Sequence, residues 1–264
     1  TIYFDEAHNS VQRHFFPAVR FFATTNNRRC YFFTATPKHS IATERVGMNN
    51  EEVYGKVLVN VPAPKLVRQG IILAPKLKIK KIDVVDDSRH KHEKDCDYVT
   101  STLDEIDMDK VLVCARSTAQ IVSLVSQSDF CINLRDRGYS WMYITAKTGA
   151  IIDGKKVNRE CFFNTLNEWG KDDTKRFVVL HHSILSEGIN VKGLEAAIFL
   201  RNMDYITISQ TIGRVIRKGS ESKTYGLVVV PTWDKVGIST ARKVEAVVDT
   251  VFDKGQPAIS VITK

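Results

Sequence analysis

Asp5 and Glu6 stand side by side directly after three apolar residues, Ile2, Tyr3 and Phe4, and His8 follows two positions on. A strand that ends in adjacent acids delivers both to the edge of a sheet, and in open α/β sheets ligands bind beyond the carboxyl ends of the strands. Neighbouring carboxylates there can divide one task, with one holding a hydrated Mg²⁺ and the other orienting or polarising a water. That division suits phosphoryl transfer, in which positioning and charge neutralisation supply most of the catalysis. The same letters also read as an acidic helix start, because carboxylates are favoured at helix N-termini on electrostatic grounds alone. By themselves the residues leave both readings open.

A second cluster lies near the far end. Gln210, Gly213, Arg214 and Arg217 in "SQTIGRVIRKG" recur at three- and four-residue steps, which predicts one shared helical face. Guanidiniums on such a face suit phosphate oxygens better than ammonium groups, because the planar fork matches their geometry. For the isolated run the alternative is a basic surface helix or a nonspecific phosphate patch. A third group, His90, His92 and Cys96 in "RHKHEKDC", matches no standard zinc spacing and reads as a charged, solvated helix.

The elements that must position these groups alternate. Strands are expected at 2–4, 30–35, 56–61, 79–85, 110–115, 141–145, 176–181, 195–200 and 223–230, several of them nearly continuous apolar runs of the kind parallel sheets bury on both faces. Helices are expected over 11–22, from a Ser117 N-cap through 130, over 158–169 and around 236–252, the last packing as core. Trp141, Trp169 and Trp233 read as core or rim residues. The alternation predicts an α/β fold with parallel sheets. Prolines and a glycine in "VPAPKLVRQGIILAPKLK" (61–78) mark a crossing between two lobes, with residues 1–75 as part of one domain and 76–264 as a complete second one.

The 264 residues are 43% apolar and 26% charged, which excludes a disordered tail. No apolar run approaches the length of a membrane span, so no membrane role is expected. Five scattered cysteines argue against a disulfide framework and for a reducing compartment, cytoplasmic or nucleoid/nuclear, rather than secretion. The net charge of +8 suits a polyanionic partner.

Taken together the motifs resemble those of superfamily 2 helicases. "DEAH" (5–8) is similar to the family's motif II, or Walker B element, and "FFTATP" (32–37), with Thr34 and Thr36, to motif III. "SILSEGINVKGLEAAIFL" (183–200) is similar to motif V, although Asn190 stands where the family often has Asp. Gln210, Gly213, Arg214 and Arg217 match the Q-x-x-G-R-x-x-R form of motif VI. "KVLVCARST" (110–118) resembles motif IV. The resemblance implies tandem RecA-like lobes, the first truncated, that hydrolyse ATP in the cleft between them to drive movement along nucleic acid. It assigns Asp5, Glu6, Arg214 and Arg217 as catalytic, with Asp5 holding Mg²⁺ through water and Arg217 as the arginine finger. His8, Gly188, Asn190, Gln210 and Gly213 would contact the nucleotide, Gln210 facing His8. Thr34 and Thr36 would couple the motifs. Arg116, Ser117, Thr145 and Ser183 would touch the nucleic-acid backbone, with Lys147 beside Thr145.

"GMNNEEVYGKVL" and "VRQGIILAPK" are similar to the restriction-enzyme and phage DNA-repair branch of the family. Motif VI also lacks the extra arginines usual in DEAH RNA helicases, so DNA is favoured over RNA. The family's G-x-x-x-x-G-K-[ST] phosphate loop does not occur in these residues, and Thr1 opens the chain just before motif II. The expectation is therefore a fragment, or one half of a split helicase, inactive as an ATPase alone and completed by an N-terminal segment in cis or in trans. The rival reading is a non-catalytic module that binds nucleic acid or protein.

Overall fold

The computed structural model describes residues 1–25, 28–42, 46–82, 88–182, 191, 193–200, 203–219, 223–232 and 237–262. In chain order the elements are β1 (Ile2–Phe4), a 3-10 turn (Ala7–Asn9), α1 (Phe16–Thr24), β2 (Cys30–Phe32), β3 (Lys38–Ser40), α2 (Glu51–Tyr54), α3 (Ala63–Arg68) and β4 (Ala74–Lys81). They continue with α4 (Lys91–Glu105), β5 (Lys110–Cys114), α5 (Thr118–Gln127), α6 (Phe130–Asp136), β6 (Ser140–Thr145), β7 (Gly149–Ile152), β8 (Lys155–Val157) and α7 (Arg159–Lys171). The chain closes with β9 (Phe177–His181), β10 (Ala196–Phe199), α8 (Tyr205–Val215), β11 (Tyr225–Thr232), α9 (Ile238–Val247), a π-helical turn (Val248–Asp253) and β12 (Ser260–Ile262). No helix among the described residues is long and apolar enough to cross a membrane.

The chain divides into two compact units, residues 1–66 with 247–264, and residues 67–246. In the first, β1 and β2 pair in parallel, with Tyr3 opposite Tyr31 and Phe4 opposite Phe32. Both cross-strand pairs stack, with ring centroids 5.6 and 4.9 Å apart, the aromatic pairing that adds to simple area burial. β3 pairs in parallel with β12. α1 begins at Phe16 rather than at Val11, because Pro17 has a fixed φ and no N–H and so belongs in a first turn.

The second unit is a mixed α/β structure built on one sheet of eight strands in the order β4-β11-β10-β5-β9-β6-β7-β8. The first six strands are mutually parallel, and β7 and β8 extend the sheet as an antiparallel hairpin. β5, β9 and β10 are buried along their whole length, which is why their sequences run apolar without alternation. Helices α4, α5 and α6 close one side with Val99, Leu103, Ile121, Leu124, Phe130 and Leu134. Burying a side chain of this size contributes about 1.5–3 kcal/mol. The hairpin turns on Asp153 (φ 44°) and Gly154 (φ 81°), the paired left-handed residues that a two-residue turn between twisted strands requires. Asp153 also accepts the N–H of Trp141 at 2.8 Å.

Two further sequence expectations are corrected. "KVLVNV" (56–61) is not a strand: it has no ladder partner among the described residues, and Val57, Leu58 and Val59 are 85%, 77% and 77% exposed. The helix expected to carry all four motif VI residues ends at Val215. Arg217 lies beyond it, in an antiparallel bridge to Ile72, so it does not share a helical face with Gln210, Gly213 and Arg214.

Candidate functional site

In the first unit the residues after β1 form a tight knot. Asp5 follows the strand and is exposed, and its Oδ1 accepts the N–H of Glu6 at 2.9 Å. Glu6 adopts the left-handed conformation (φ 47°, ψ 45°), which costs a residue with a Cβ about 1–2 kcal/mol. That kink starts the 3-10 turn and sends His8 into the interior, where it is 1% exposed. His8 Nδ1 lies 3.1 Å from Thr34 Oγ1, 3.4 Å from Thr36 Oγ1 and 3.4 Å from Glu6 Oε2. The N–H of Ala7 donates to Phe33 O at 2.9 Å, and Thr34 Oγ1 also accepts the N–H of Thr36 at 3.1 Å. The turn after β1 and the loop after β2 are thus one hydrogen-bonded unit, which brings Glu6, His8, Thr34 and Thr36 together.

Asp5 presents an exposed carboxylate at a strand end, and a hard, hydrated cation is held through such oxygens. The residue present therefore fits a magnesium ion bound through water. Among the described residues no group of three or more His, Cys, Asp and Glu gathers as a metal cluster. His90 and His92 stack on each other with centroids 5.3 Å apart. Cys96 is buried, accepts Asn133 Nδ2 at 3.5 Å, and has its thiol pushed up by that burial.

In the second unit α8 starts at the carboxyl edge of the sheet. Asp204 caps it, accepting the N–H and the hydroxyl of Thr207 at 2.9 and 2.6 Å. Burial works to raise the Asp204 carboxyl, but these bonds hold it below its ordinary value. The helix ends against the start of β11 at Gly226, where a Cβ would lie 2.5 Å from Val215 O. Only glycine admits that approach. Leu73 N donates to Ile216 O at 2.7 Å and fixes the turn beyond. Arg214, in the last helical turn, is buried at 7% exposure, while Arg217 and Gln210 are half-buried. A Cβ at Gly213 would meet nothing described within 4 Å.

The expected nucleic-acid residues lie elsewhere on this unit. Ser117 caps α5 by accepting Gln120 N at 3.1 Å, and Arg116, beside it after β5, is exposed while its N–H donates to Gln120 Oε1 at 2.6 Å. Thr145 ends β6 and is buried, its hydroxyl 2.7 Å from that of Thr148 in the turn to β7; Lys147 in that turn is exposed. Arg116, Ser117 and Thr145 thus sit at the carboxyl ends of strands, whereas Arg214 and Arg217 sit where α8 returns toward the amino ends of β4 and β11. Ser183, Gly188 and Asn190 fall outside the described residues. One residue the sequence did not point to is Lys223, buried against the end of α8. A lone lysine past a glycine carries no pattern that could have singled it out.

No family model and no curated protein matches the chain. Solved structures do. The ATP-dependent Type ISP restriction-modification enzyme LlaBIII, bound to DNA, superposes with a TM-score of 0.65 and 18% identity over 98% of this chain and 21% of its own. A nuclease-deletion mutant of the Type ISP enzyme LlaGI, in complex with a DNA substrate mimic, gives a TM-score of 0.54 and 17% identity over 98% of this chain and 18% of its own. The chain therefore spans about a fifth of the length of these two enzymes. At these identities the likeness is one of fold: the chain has a RecA-like α/β architecture.

Proposed function

We propose that this chain is part of an ATP-dependent superfamily 2 translocase or helicase acting on nucleic acid, with DNA as the favoured substrate. The observation that carries the reading is the hydrogen-bonded unit of Glu6, His8, Thr34 and Thr36, set on a RecA-like fold. A strand-end acid pair wired to the neighbouring loop can pass a change at the phosphates to the rest of the protein.

In this reading Asp5 holds magnesium through water, and the ion supplies charge neutralisation at the triphosphate. Glu6 orients the attacking water and accepts its proton. Arg214 and Arg217 offset the charge that develops on the transferred phosphoryl group. Arg116 and Ser117, with Thr145, contact the nucleic-acid backbone at the other end of the strands. The arginines and the nucleic-acid residues thus occupy different edges of the second unit, and α8 spans between them. That these two solved structures hold DNA or a DNA mimic supports DNA over RNA, while the excess of basic residues supports a polyanionic partner of either kind.

The test is phosphate release by the complete gene product with and without duplex DNA, single-stranded DNA and RNA. DNA-stimulated turnover that disappears in Glu6→Gln while ATP binding persists is the expected result. Turnover unchanged by Glu6→Gln removes Glu6 from the mechanism. Nucleic-acid binding with no nucleotide dependence at all favours the non-catalytic module.

A further inference from the structure

The end of α8 is held by a residue outside the motif. Lys223 is 8% exposed, and its Nζ donates to three backbone carbonyls: Val215 O at 2.5 Å, Arg217 O at 3.0 Å, and Leu194 O. The last carbonyls of any helix lack partners within it, and here a lysine from eight residues downstream takes the place that a glycine turn usually fills. An ammonium has three N–H donors, and three acceptors meet them. Burial pushes the group down to about 8, with Glu195 opposing the fall and Lys110 adding to it, so at neutral pH the ammonium form predominates.

The three carbonyls belong to two segments. Val215 and Arg217 flank the turn after α8, and Leu194 leads into β10. The same two segments touch through glycines, since a Cβ on Gly219 would lie 2.4 Å from Gly193 Cα. Arg217 lies two residues past the end of α8. The bridge to Ile72 and the bond from Lys223 both hold its backbone.

We propose that Lys223 is the positioning residue for Arg217, clamping the turn that carries this guanidinium to the segment ahead of β10. The inference rests on reading Arg217 as a phosphate-gripping residue. Geometry is what such a residue sells least cheaply: a shift of about 1 Å in a positioned group can cost on the order of a hundredfold.

The test is a double-mutant cycle on the complete gene product, with MgATP binding followed by titration and backbone amide exchange followed across 212–219. Arg217→Ala is expected to weaken binding about tenfold, the size of one lost charge-assisted contact. Lys223→Met is expected to weaken it by a similar factor and to speed exchange across 212–219. The double variant should bind no worse than Arg217→Ala, because Lys223 acts through Arg217. Losses that multiply, or a Lys223→Met affinity equal to wild type, overturn the proposal. If Arg217→Ala alone changes nothing, the phosphate reading falls, and the exchange data then judge the clamp separately: unaltered exchange in Lys223→Met disproves it. Should Lys223→Met fail to fold, Lys223→Gln, which keeps two donors, must show the same changes at smaller size.

Discussion

His8 Nδ1 sits 3.1 Å from Thr34 Oγ1, so a side chain from the turn after β1 is bonded to one from the loop after β2. The hydroxyl of Thr34 also accepts the N–H of Thr36. Thr34→Val keeps the shape and removes that oxygen, leaving the Thr36 N–H and the His8 Nδ1 without this partner. The expected cost is about 1–2 kcal/mol, read as a lower urea midpoint for the first unit at unchanged slope. Thr34→Ser should recover most of it. Equal midpoints for valine and wild type mean that the contact does not hold the two loops together.

Glu6 pays a backbone penalty to stand where it does, in the left-handed region at φ 47°. Glycine occupies that region without strain. Glu6→Gly is therefore expected to leave stability unchanged or to raise it by up to about 1 kcal/mol, while abolishing turnover in the complete protein. Strain retained at the residue proposed to orient the attacking water would be a conflict between stability and function of the usual form. A fall in the melting temperature shows instead that the Glu6 carboxylate, 3.4 Å from His8, anchors the turn.

Asp204 fixes the start of the helix that carries Gln210, Gly213 and Arg214. Asp204→Ala should cost about 1 kcal/mol, the usual value of a lost N-cap, whereas Asp204→Asn should cost little, because asparagine caps as well as aspartate. The Asp204 carboxyl is held below its ordinary value, so its contribution is complete above the unfolded-state value and is lost as pH falls through the folded-state value. Stability curves for wild type and Asp204→Asn should therefore run together near neutral pH and diverge in acid, with wild type falling more steeply. Parallel curves down to acid pH mean that this carboxyl has no share in acid unfolding.

The central strands were legible because burial on both faces leaves an unbroken apolar run: Lys110–Cys114, Phe177–His181 and Ala196–Phe199 fall within a residue or two of their expected bounds. The acids at the end of β1 were legible for the same reason, since the strand before them is short and apolar. The hairpin β7–β8 was missed although Asp153-Gly154 is a strong turn signal, because its strands are only four and three residues long. The pairing of β3 with β12 joins residues near opposite ends of the chain, and no local pattern encodes such a partner. Arg217 was placed on the helix because its spacing fits a helical period. What removes it is tertiary: the bridge to Ile72 and the carbonyl bonds from Lys223.

The segment 56–61 is the reverse case, in which pattern promised a strand and geometry withheld the partner. Val57, Leu58 and Val59 carry strong β-propensity, and propensity expresses how well a side chain fits a half-buried pleated surface. Here they meet solvent, at 77% exposure or more. Leu58→Ser should then change the stability of the isolated chain by no more than about 0.5 kcal/mol, as for other surface sites. A buried position in a real ladder behaves otherwise: Val229, fully buried in β11 and paired with Ile198, should lose several kcal/mol as serine, since a cavity and a buried hydroxyl add to the lost apolar area. Chemical unfolding of both variants side by side decides the matter. A loss at Leu58 approaching that at Val229 means that this run is covered in solution, and that its sequence was a truer guide than its exposure.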